Sequence, residues 1–140
     1  ATQFTTGASG GLLDRMSVNV KDIDSSTRRN FELAVYSDNN GKPGTLLAKS
    51  DRGTFTASNT WGTVIFSGVN HITLFANTKY WLAYNTNSAS SGKNNMSVRT
   101  LTGAKSAWST SAVTFGTWPT TFVSTPQDND EFSIYATLIL

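Results

Sequence analysis

Apolar residues recur at every second position in several short runs of this chain, and no run has the spacing of an amphipathic helix. In residues 13–21, for example, Met16, Val18 and Val20 alternate with polar side chains. Period two is typical of a half-buried strand, because successive side chains point to opposite faces. Such runs, separated by turns rich in Gly, Asn and Ser, predict an all-β fold: an antiparallel two-sheet β-sandwich of jelly-roll type. The predicted strands are residues 1–4, 13–21, 31–36, 46–50, 53–57, 63–66, 72–74, 78–85, 95–100, 112–115 and 132–140.

The run at residues 78–85 carries apolar side chains on both faces. Tyr80 and Leu82 fall on one side, and Trp81 falls on the other, where Lys79 and Asn85 flank it. A strand of an antiparallel sheet normally buries one face and exposes the other to water. The face framed by Lys79 and Asn85 is predicted to be the exposed one, which would place the Trp81 indole on the sheet surface.

Size and composition exclude several classes of protein. At 140 residues the chain can bury a core, and we expect one domain over residues 1–140. It has no cysteine, so disulfides and zinc–thiolate sites are excluded. Charged residues are 14% of the chain and its net charge is +2 without a basic stripe, which argues against nucleic acid. No apolar run approaches the roughly 20 residues that span a bilayer, so no membrane partner is expected.

The polar residues favour an extracellular protein. Ser, Thr, Asn and Gly occupy many places where a cytoplasmic protein carries Lys and Glu, a pattern that suits a secreted bacterial domain. The chain begins at Ala1 without a charged and then apolar leader, so we expect a signal peptide or a neighbouring domain to have been removed. We therefore expect a secreted monomer that is part of a larger multidomain enzyme.

The sequence gives little indication of a catalytic site. A two-carboxylate hydrolase needs two acidic side chains that converge on one bond, whereas most of the acidic residues here fall in connections between strands. His71 is the single histidine, and the chain has no Gly-x-Ser-x-Gly elbow. We therefore expect a protein that is not itself an enzyme.

The run Asp128, Asn129, Asp130 and Glu131 has two interpretations. Clustered carboxylate and amide oxygens are ligands that calcium prefers, and a sandwich without disulfides can be stabilised by such an ion. The other interpretation is a solvated, charged turn before the last strand, since the spacing matches no EF-hand loop. No cofactor is required, and a structural calcium ion is one possibility.

The tryptophans occupy different contexts. Trp61 enters an apolar strand and is expected to cap the core. Trp108 and Trp118 lie in polar loops, where an indole is either a lid on the core or a ligand contact. An indole can stack on the apolar face of a β-linked sugar ring, so we predict Trp108 and Trp118 as stacking platforms, with Trp81 as a third.

Polar neighbours of these indoles could bind sugar hydroxyls. If Trp81 and Asn85 face outward, the next strand of a hairpin, residues 95–100, would place Asn95 and Arg99 on the same outer face. Amide and guanidinium groups are planar partners suited to hydroxyls at a ring edge. Asn85, Asn95 and Arg99 are therefore the predicted hydrogen-bonding residues.

Three stretches and Trp61 resemble a family of bacterial β-sandwich modules. The stretches are LAVYSDNNGKPGTLLA at residues 33–48, NTKYWLA at 77–83 and SIYAT at 133–137. Modules of this family occur in secreted, multidomain and surface proteins, and some are carbohydrate-binding modules attached to polysaccharide hydrolases. Trp81 belongs to the shared framework, which favours a structural role for it. The loops of Trp108 and Trp118 lie outside the resemblance, as a ligand-specific addition would.

The sequence thus supports two alternatives for function. The first is a non-catalytic module that binds a β-glucan polysaccharide, such as cellulose, mixed-linkage glucan or xyloglucan, and holds an attached glycoside hydrolase near its substrate. The second is a β-sandwich domain for adhesion or protein interaction in a secreted or surface protein.

Overall fold

The computed structural model describes residues 1–109, 113–125 and 129–140, and these form an all-β fold of antiparallel strands, as predicted. The only helical element among them is a short 3-10 turn, Gly68–Asn70. The strands are β1 (Thr2–Thr5), β2 (Gly11–Val20), β3 (Asn30–Asn39), β4 (Lys42–Lys49), β5 (Gly53–Thr54), β6 (Thr60–Ile65), β7 (Thr73–Leu74), β8 (Lys79–Thr86), β9 (Val98–Thr100), β10 (Asp130–Phe132) and β11 (Ile134–Ile139).

The strands form two main sheets and one small one. In the first sheet the order is β1-β8-β3-β4, with β5 also paired to β3. In the second sheet the order is β11-β2-β6, with β7 also paired to β2. Strands β9 and β10 pair separately. The chain passes between the main sheets after β1, β2, β5 and β7, a repeated crossing typical of sandwich folds.

The core lies between the two main sheets. Met16 and Val18 of β2 pack with Leu33 and Val35 of β3 in one cluster, and all four are 0% exposed. These are residues whose period-two spacing predicted burial, so alternation in β2 and β3 correctly identifies the inner faces. Fully burying an aliphatic side chain of this size contributes about 1.5–3 kcal/mol.

An aromatic stack fills one part of this core. The rings of Phe31 and Phe55 are stacked with their centroids 4.1 Å apart. Gly62 of β6 faces this stack, and a Cβ atom there would lie 2.6 Å from Phe31 Cζ and from Phe55 Cε1. Glycine is therefore required at position 62 because the two rings occupy the space of a side chain.

The outer face of the first sheet is also buried, beneath a long connection. Ala34, Tyr36, Trp81 and Ala83 form a second apolar cluster on this face, and Trp118 is among the side chains that pack on it. We call residues 104–109 and 113–122 the covering segment. It lies across the face and gives the sandwich a third layer over the first sheet.

Backbone hydrogen bonds hold the covering segment at both sides of the sheet. At β1, Gln3 N–H donates to the carbonyl of Lys105 at 2.9 Å. At β4, Leu46 N–H donates to the carbonyl of Thr120 at 2.9 Å, and Phe122 N–H donates to the carbonyl of Gly44 at 3.0 Å. The segment therefore runs from one outer strand of the sheet to the other.

Several expectations about strands were wrong. Residues 95–100 do not form a hairpin with β8, because the strand there begins at Val98 and pairs with β10. Residues 113–115 are not a strand, and Ala112 of the predicted strand 112–115 lies outside the described residues. The final run is divided at Ser133 into β10 and β11.

Two expectations about tryptophans were also wrong. Trp81 points away from the core, as predicted, but it is 0% exposed because the covering segment and neighbouring side chains enclose it. Trp61 was expected to cap the core, yet it is 49% exposed. Trp61 lies opposite Asn19 of β2, and it makes an edge contact with Tyr135 at a centroid distance of 5.1 Å. The side-chain direction of a strand residue therefore did not decide its exposure.

Candidate functional site

A cleft of about 540 Å³ lies beside the covering segment. Its walls come from that segment, from the end of β8, from residues 95–98 and from β10. Its volume falls in the range of roughly 300–1,000 Å³ that is typical of small-molecule sites. Four of the predicted site residues line it, namely Trp108, Trp118, Asn85 and Asn95.

Trp118 both covers the sheet and lines the cleft. Its Nε1–H donates to Glu32 Oε2 at 3.2 Å, and its ring lies 6.3 Å from that of Tyr36. Glu32 is only 7% exposed, and Arg52 Nε and Nη2 also donate to its carboxylate, each at 3.2 Å. The two interpretations of Trp118, a lid and a candidate ligand contact, are therefore compatible in one side chain.

Further contacts anchor the covering segment, and one of them involves Arg52, which is paired with the Glu32 carboxylate. The Arg52 guanidinium lies 4.7 Å from the centre of the Phe115 ring, within the range of a cation–π contact. Tyr36 Oη donates to the carbonyl of Pro119 at 2.8 Å. Burial raises the pKa of Tyr36, so this hydroxyl remains a donor across the ordinary pH range. These contacts fix the position of the Trp118 ring in the cleft wall.

Trp108 has more accessible surface. It is 50% exposed, and its ring meets Phe132 edge to face at a centroid distance of 5.1 Å. Its carbonyl accepts a backbone hydrogen bond from Thr125 N–H at 2.9 Å. Phe132 is buried, so Trp108 rests on the core at one edge while half of its surface faces solvent. This is the arrangement that a stacking platform needs.

Asn85 contributes a donor without a partner. Its Oδ1 accepts from Thr86 N–H at 2.8 Å, whereas its Nδ2 is the one buried side-chain polar atom among the described residues that has no hydrogen-bond partner. The amide cannot simply be reversed, since Nδ2 would then face another N–H donor. A buried donor left unsatisfied costs about 1–3 kcal/mol. A ligand that accepts a hydrogen bond from Nδ2 would remove this cost.

Asn95 lines the cleft, but it does not lie on the predicted hairpin strand. It is exposed and precedes β9, and its carbonyl accepts from Lys21 N–H at 3.2 Å. Sequence reasoning paired residues 95–100 with β8, whereas Met96 actually forms a bridge with Val20 of β2. Asn95 therefore does not share the outer face of the sheet with Asn85 as predicted, although both residues line the cleft.

Arg99 and Trp81 do not line the cleft. Arg99 lies opposite Glu131 in the β9–β10 ladder, and its Nε and Nη2 each lie 2.5 Å from Glu131 Oε2. Trp81 is fully buried, and its Nε1–H donates to Asp38 Oδ1 at 2.8 Å. An enclosed indole offers no face to a sugar, so the prediction of Trp81 as an exposed platform was wrong and its role is structural.

Asp38 is half-buried beside Trp81 and accepts several hydrogen bonds. Its carboxylate accepts from Trp81 Nε1, from Gln3 Nε2 at 2.6 Å and from Gly41 N–H at 3.0 Å. Burial opposes ionisation of this carboxyl, but the hydrogen bonds from Gly41, Trp81 and Gln3, with the charge of Lys79, hold its pKa below the ordinary value. Asp38 is among the acidic residues that the sequence places in a connection between predicted strands, and no local pattern revealed its partner at position 81.

Asn94 organises the loops at one end of the cleft. It is 0% exposed, and its Nδ2 donates to the carbonyl of Arg28 and to Thr86 Oγ1, each at 2.8 Å. Its Oδ1 accepts from Asp24 N–H at 2.9 Å, and its carbonyl accepts from the Tyr84 hydroxyl. Asn94 has a φ of 53°, a left-handed conformation that asparagine tolerates better than most residues. Tyr84 lines the cleft, so this network holds one residue of the cleft wall in place.

Asp130 and Phe132 are cleft residues that sequence reasoning did not place there. From the sequence, the run from Asp128 has two interpretations, a calcium site and a solvated turn. Asp128 lies outside the described residues, and Glu131 is paired with Arg99. Within residues 1–109, 113–125 and 129–140, no group of three or more His, Cys, Asp or Glu side chains could hold a metal ion.

A second aromatic surface lies on the other side of the molecule. We call Trp61 and Tyr135 the outer aromatic pair; they are 49% and 48% exposed on the outer face of the second sheet. Tyr135 lies opposite Ser17 of β2, and Trp61 lies opposite Asn19 of the same strand, so the two rings meet across β2. The pair is open to solvent, and it differs from the cleft in having no opposing wall.

Comparisons of the chain with protein-family models, with curated proteins and with solved structures give no match. In the part of the chain that the structure describes, no helix is long and apolar enough to cross a membrane.

Proposed function

We propose that this protein is a non-catalytic carbohydrate-binding module and that the cleft is its binding site. The observation that carries the proposal is the convergence of Trp108, Trp118, Asn85 and Asn95 on one cleft. Apolar aromatic walls with a few polar groups are the common composition of a small-molecule site. A sugar needs both, because its ring carries an apolar face and a hydroxylated edge.

The proposed ligand is a β-glucan, such as cellulose, mixed-linkage glucan or xyloglucan. In a β-linked glucan the axial C–H groups give each ring an apolar face, which an exposed indole such as Trp108 can cover. A secreted module of this kind would raise the local concentration of an attached glycoside hydrolase at its substrate. The resemblance of residues 33–48 and 77–83 to bacterial modules of that type is consistent with this role.

The test is affinity electrophoresis of the protein against soluble β-glucans, xylan and mannan, with Trp108→Ala and Trp61→Ala as a matched pair. Both tryptophans are about half exposed, but only Trp108 lines the cleft. We expect retardation by at least one β-glucan and at least a tenfold loss of affinity in Trp108→Ala, about 1.4 kcal/mol. Trp61→Ala should bind as the unmodified protein does. Absence of retardation by every polysaccharide would refute the proposal.

The alternative function is adhesion or protein interaction, and the outer aromatic pair favours it. Exposed Trp and Tyr side chains are enriched where proteins bind proteins. Ile65 and Ile139, which are 53% and 51% exposed, lie on strands of the same sheet. If Trp61→Ala and not Trp108→Ala abolishes attachment to a cell surface or a matrix protein, this alternative replaces the carbohydrate proposal.

A further inference from the structure

We infer that β11 pairs with the β11 of a second copy of this chain, antiparallel and across a twofold axis at Thr137. This pairing joins the second sheets of two molecules into one continuous sheet. The inference is independent of the proposed function, because it concerns the edge of the second sheet and not the cleft. It differs from the monomer that we expected from the sequence.

The first step concerns the edge that β11 leaves open. β11 is an outer strand of the second sheet and, among the described residues, pairs with β2 alone. Asn19 N–H of β2 donates to the carbonyl of Ser133 at 2.8 Å, so the alternation of a strand turns the backbone groups of Ile134 and Ala136 away from β2. In the part of the chain that the structure describes, no hydrogen bond reaches these groups. They are therefore open to a strand of another molecule.

The second step concerns the devices that usually protect such an edge, namely charged side chains, proline and bulges. Residues 133–140 contain no charged side chain and no proline. The register shift of the β11–β2 ladder leaves its extra residue, Asp14, in β2. Half-buried and exposed side chains alternate regularly along β11. β11 is therefore a neutral, regular strand, unlike the outer strands of the first sheet, to which the covering segment supplies partners.

The third step concerns the partner, because β11 is complementary to itself. With Thr137 opposite Thr137 of the second copy, an antiparallel register places Tyr135 opposite Ile139 on the outer face. Thr–Thr and aromatic–β-branched pairs are among the cross-strand pairs that stabilise antiparallel sheets. On the inner face, the same register places Ala136 opposite Leu138, and both already pack at the margin of the core.

Pairing also covers apolar surface without bringing charges together. Tyr135 and Ile139 are 48% and 51% exposed, and each gains an apolar neighbour across the new strand pair. One strand of six residues from each chain makes a small interface. Interfaces below roughly 1,200 Å² are typical of weak, transient complexes. We therefore expect a dimer that forms and dissociates as concentration changes.

The experiment is sedimentation equilibrium between about 1 µM and 1 mM, a range that covers weak association. The samples are the unmodified protein, Thr137→Lys, Thr137→Glu and an equal mixture of these two variants. Thr63→Lys is the matched control, because Thr63 is also exposed on the outer face of the second sheet but lies on β6. Circular dichroism checks that each variant keeps its β-sheet spectrum.

We expect the average mass of the unmodified protein to rise with concentration towards that of a dimer. Thr137→Lys and Thr137→Glu should each raise the dissociation constant at least about tenfold, because like charges face each other at the axis. The mixture should regain association, since Lys then faces Glu, and Thr63→Lys should associate as the unmodified protein does.

Three results would overturn the inference. If the unmodified protein stays monomeric over the whole range, β11 does not pair with itself, and its edge serves a strand of another protein or none. If Thr63→Lys weakens the dimer as much as Thr137→Lys does, or if neither weakens it, the interface lies elsewhere. If both Thr137 variants dissociate and their mixture does not reassociate, the twofold axis is not at Thr137. Each of these results leaves the proposal for the cleft unchanged.

Discussion

Trp81 and Trp61 both point outward from the two main sheets, but they have opposite environments. Trp81 is 0% exposed and its indole nitrogen is bonded to Asp38, whereas Trp61 is 49% exposed beside Tyr135. Each lies on the face of its strand that points away from the core. The difference arises from the covering segment, which packs on the first sheet only. An outward position on a strand therefore predicts direction and not exposure.

The outer faces of the two main sheets also differ in their polar side chains. The covered face holds Glu32, which Trp118 of the covering segment contacts, and the half-buried Asp38 beside Trp81; both carboxylates accept several hydrogen bonds. On the outer face of the second sheet, the neutral hydroxyl groups of Ser17 and Thr63 share a hydrogen bond of 2.8 Å. Buried charges require such partners, because their desolvation is costly. The buried Glu32 carboxylate on the covered face thus depends on specific partners.

The largest expected difference is in stability after truncation of the two indoles. Trp81→Ala should lower the free energy of unfolding by about 3–5 kcal/mol, because it leaves a cavity and removes a hydrogen-bond donor to Asp38. Trp61→Ala should change it by less than about 1 kcal/mol. Urea denaturation followed by circular dichroism measures both. If Trp81→Ala does not fold, Trp81→Phe takes its place in the comparison. An equal loss of stability from substitution of Trp81 and of Trp61 would contradict the burial of the first and the exposure of the second.

A smaller effect is expected from Asp38→Asn, and it should depend on pH. The folded-state pKa of Asp38 is held below its ordinary value of 3.8, so the stabilisation is present above that value and is lost as pH falls through the folded-state pKa. Hydrogen bonds to charged groups contribute about 1.5–3 kcal/mol, which sets the expected loss in Asp38→Asn at pH 7.

Denaturation of the unmodified protein and of Asp38→Asn between pH 7 and pH 2 tests this sign. The difference between the two proteins should shrink as the solution becomes acidic. Asp24→Asn tests the same sign at a second site, because hydrogen bonds from Ser88 and Ser25 also hold the pKa of Asp24 low. A difference that stays constant over the whole range would show that Asp38 is not stabilised as an anion.

The smallest effect is expected for Trp118→Phe. This change keeps an aromatic ring in the cleft wall but removes the donor to Glu32, which retains its contacts with Arg52. We expect a loss of about 1 kcal/mol in stability and glycan affinity within about threefold of that of the unmodified protein. Isothermal titration with a soluble β-glucan measures the affinity, and Trp118→Ala serves as the variant that also loses the ring. A large loss of affinity in Trp118→Phe would assign the indole N–H to the ligand instead.

The sequence predicted the local features of the fold because alternation is a local signal. It identified the inner faces of β2 and β3, and turn-forming residues marked most of the boundaries between strands. It also identified Trp108 and Trp118 as indoles in polar loops, and both line the cleft. The sequence did not predict strand pairing or burial where these depend on contacts between distant segments. The pairing of β9 with β10 joins residues about thirty positions apart, and the burial of Trp81 depends on a polar segment that carries no apolar period.

The covering segment has a further consequence for the protein in concentrated solution. The outer strands of an open sheet carry unpaired N–H and C=O groups that can recruit a strand from another molecule, which is a common route to aggregation. Here the segment supplies hydrogen-bond partners to both outer strands of the first sheet, at Gln3 of β1 and at Leu46 of β4. One connection therefore protects two vulnerable edges from intermolecular strand pairing.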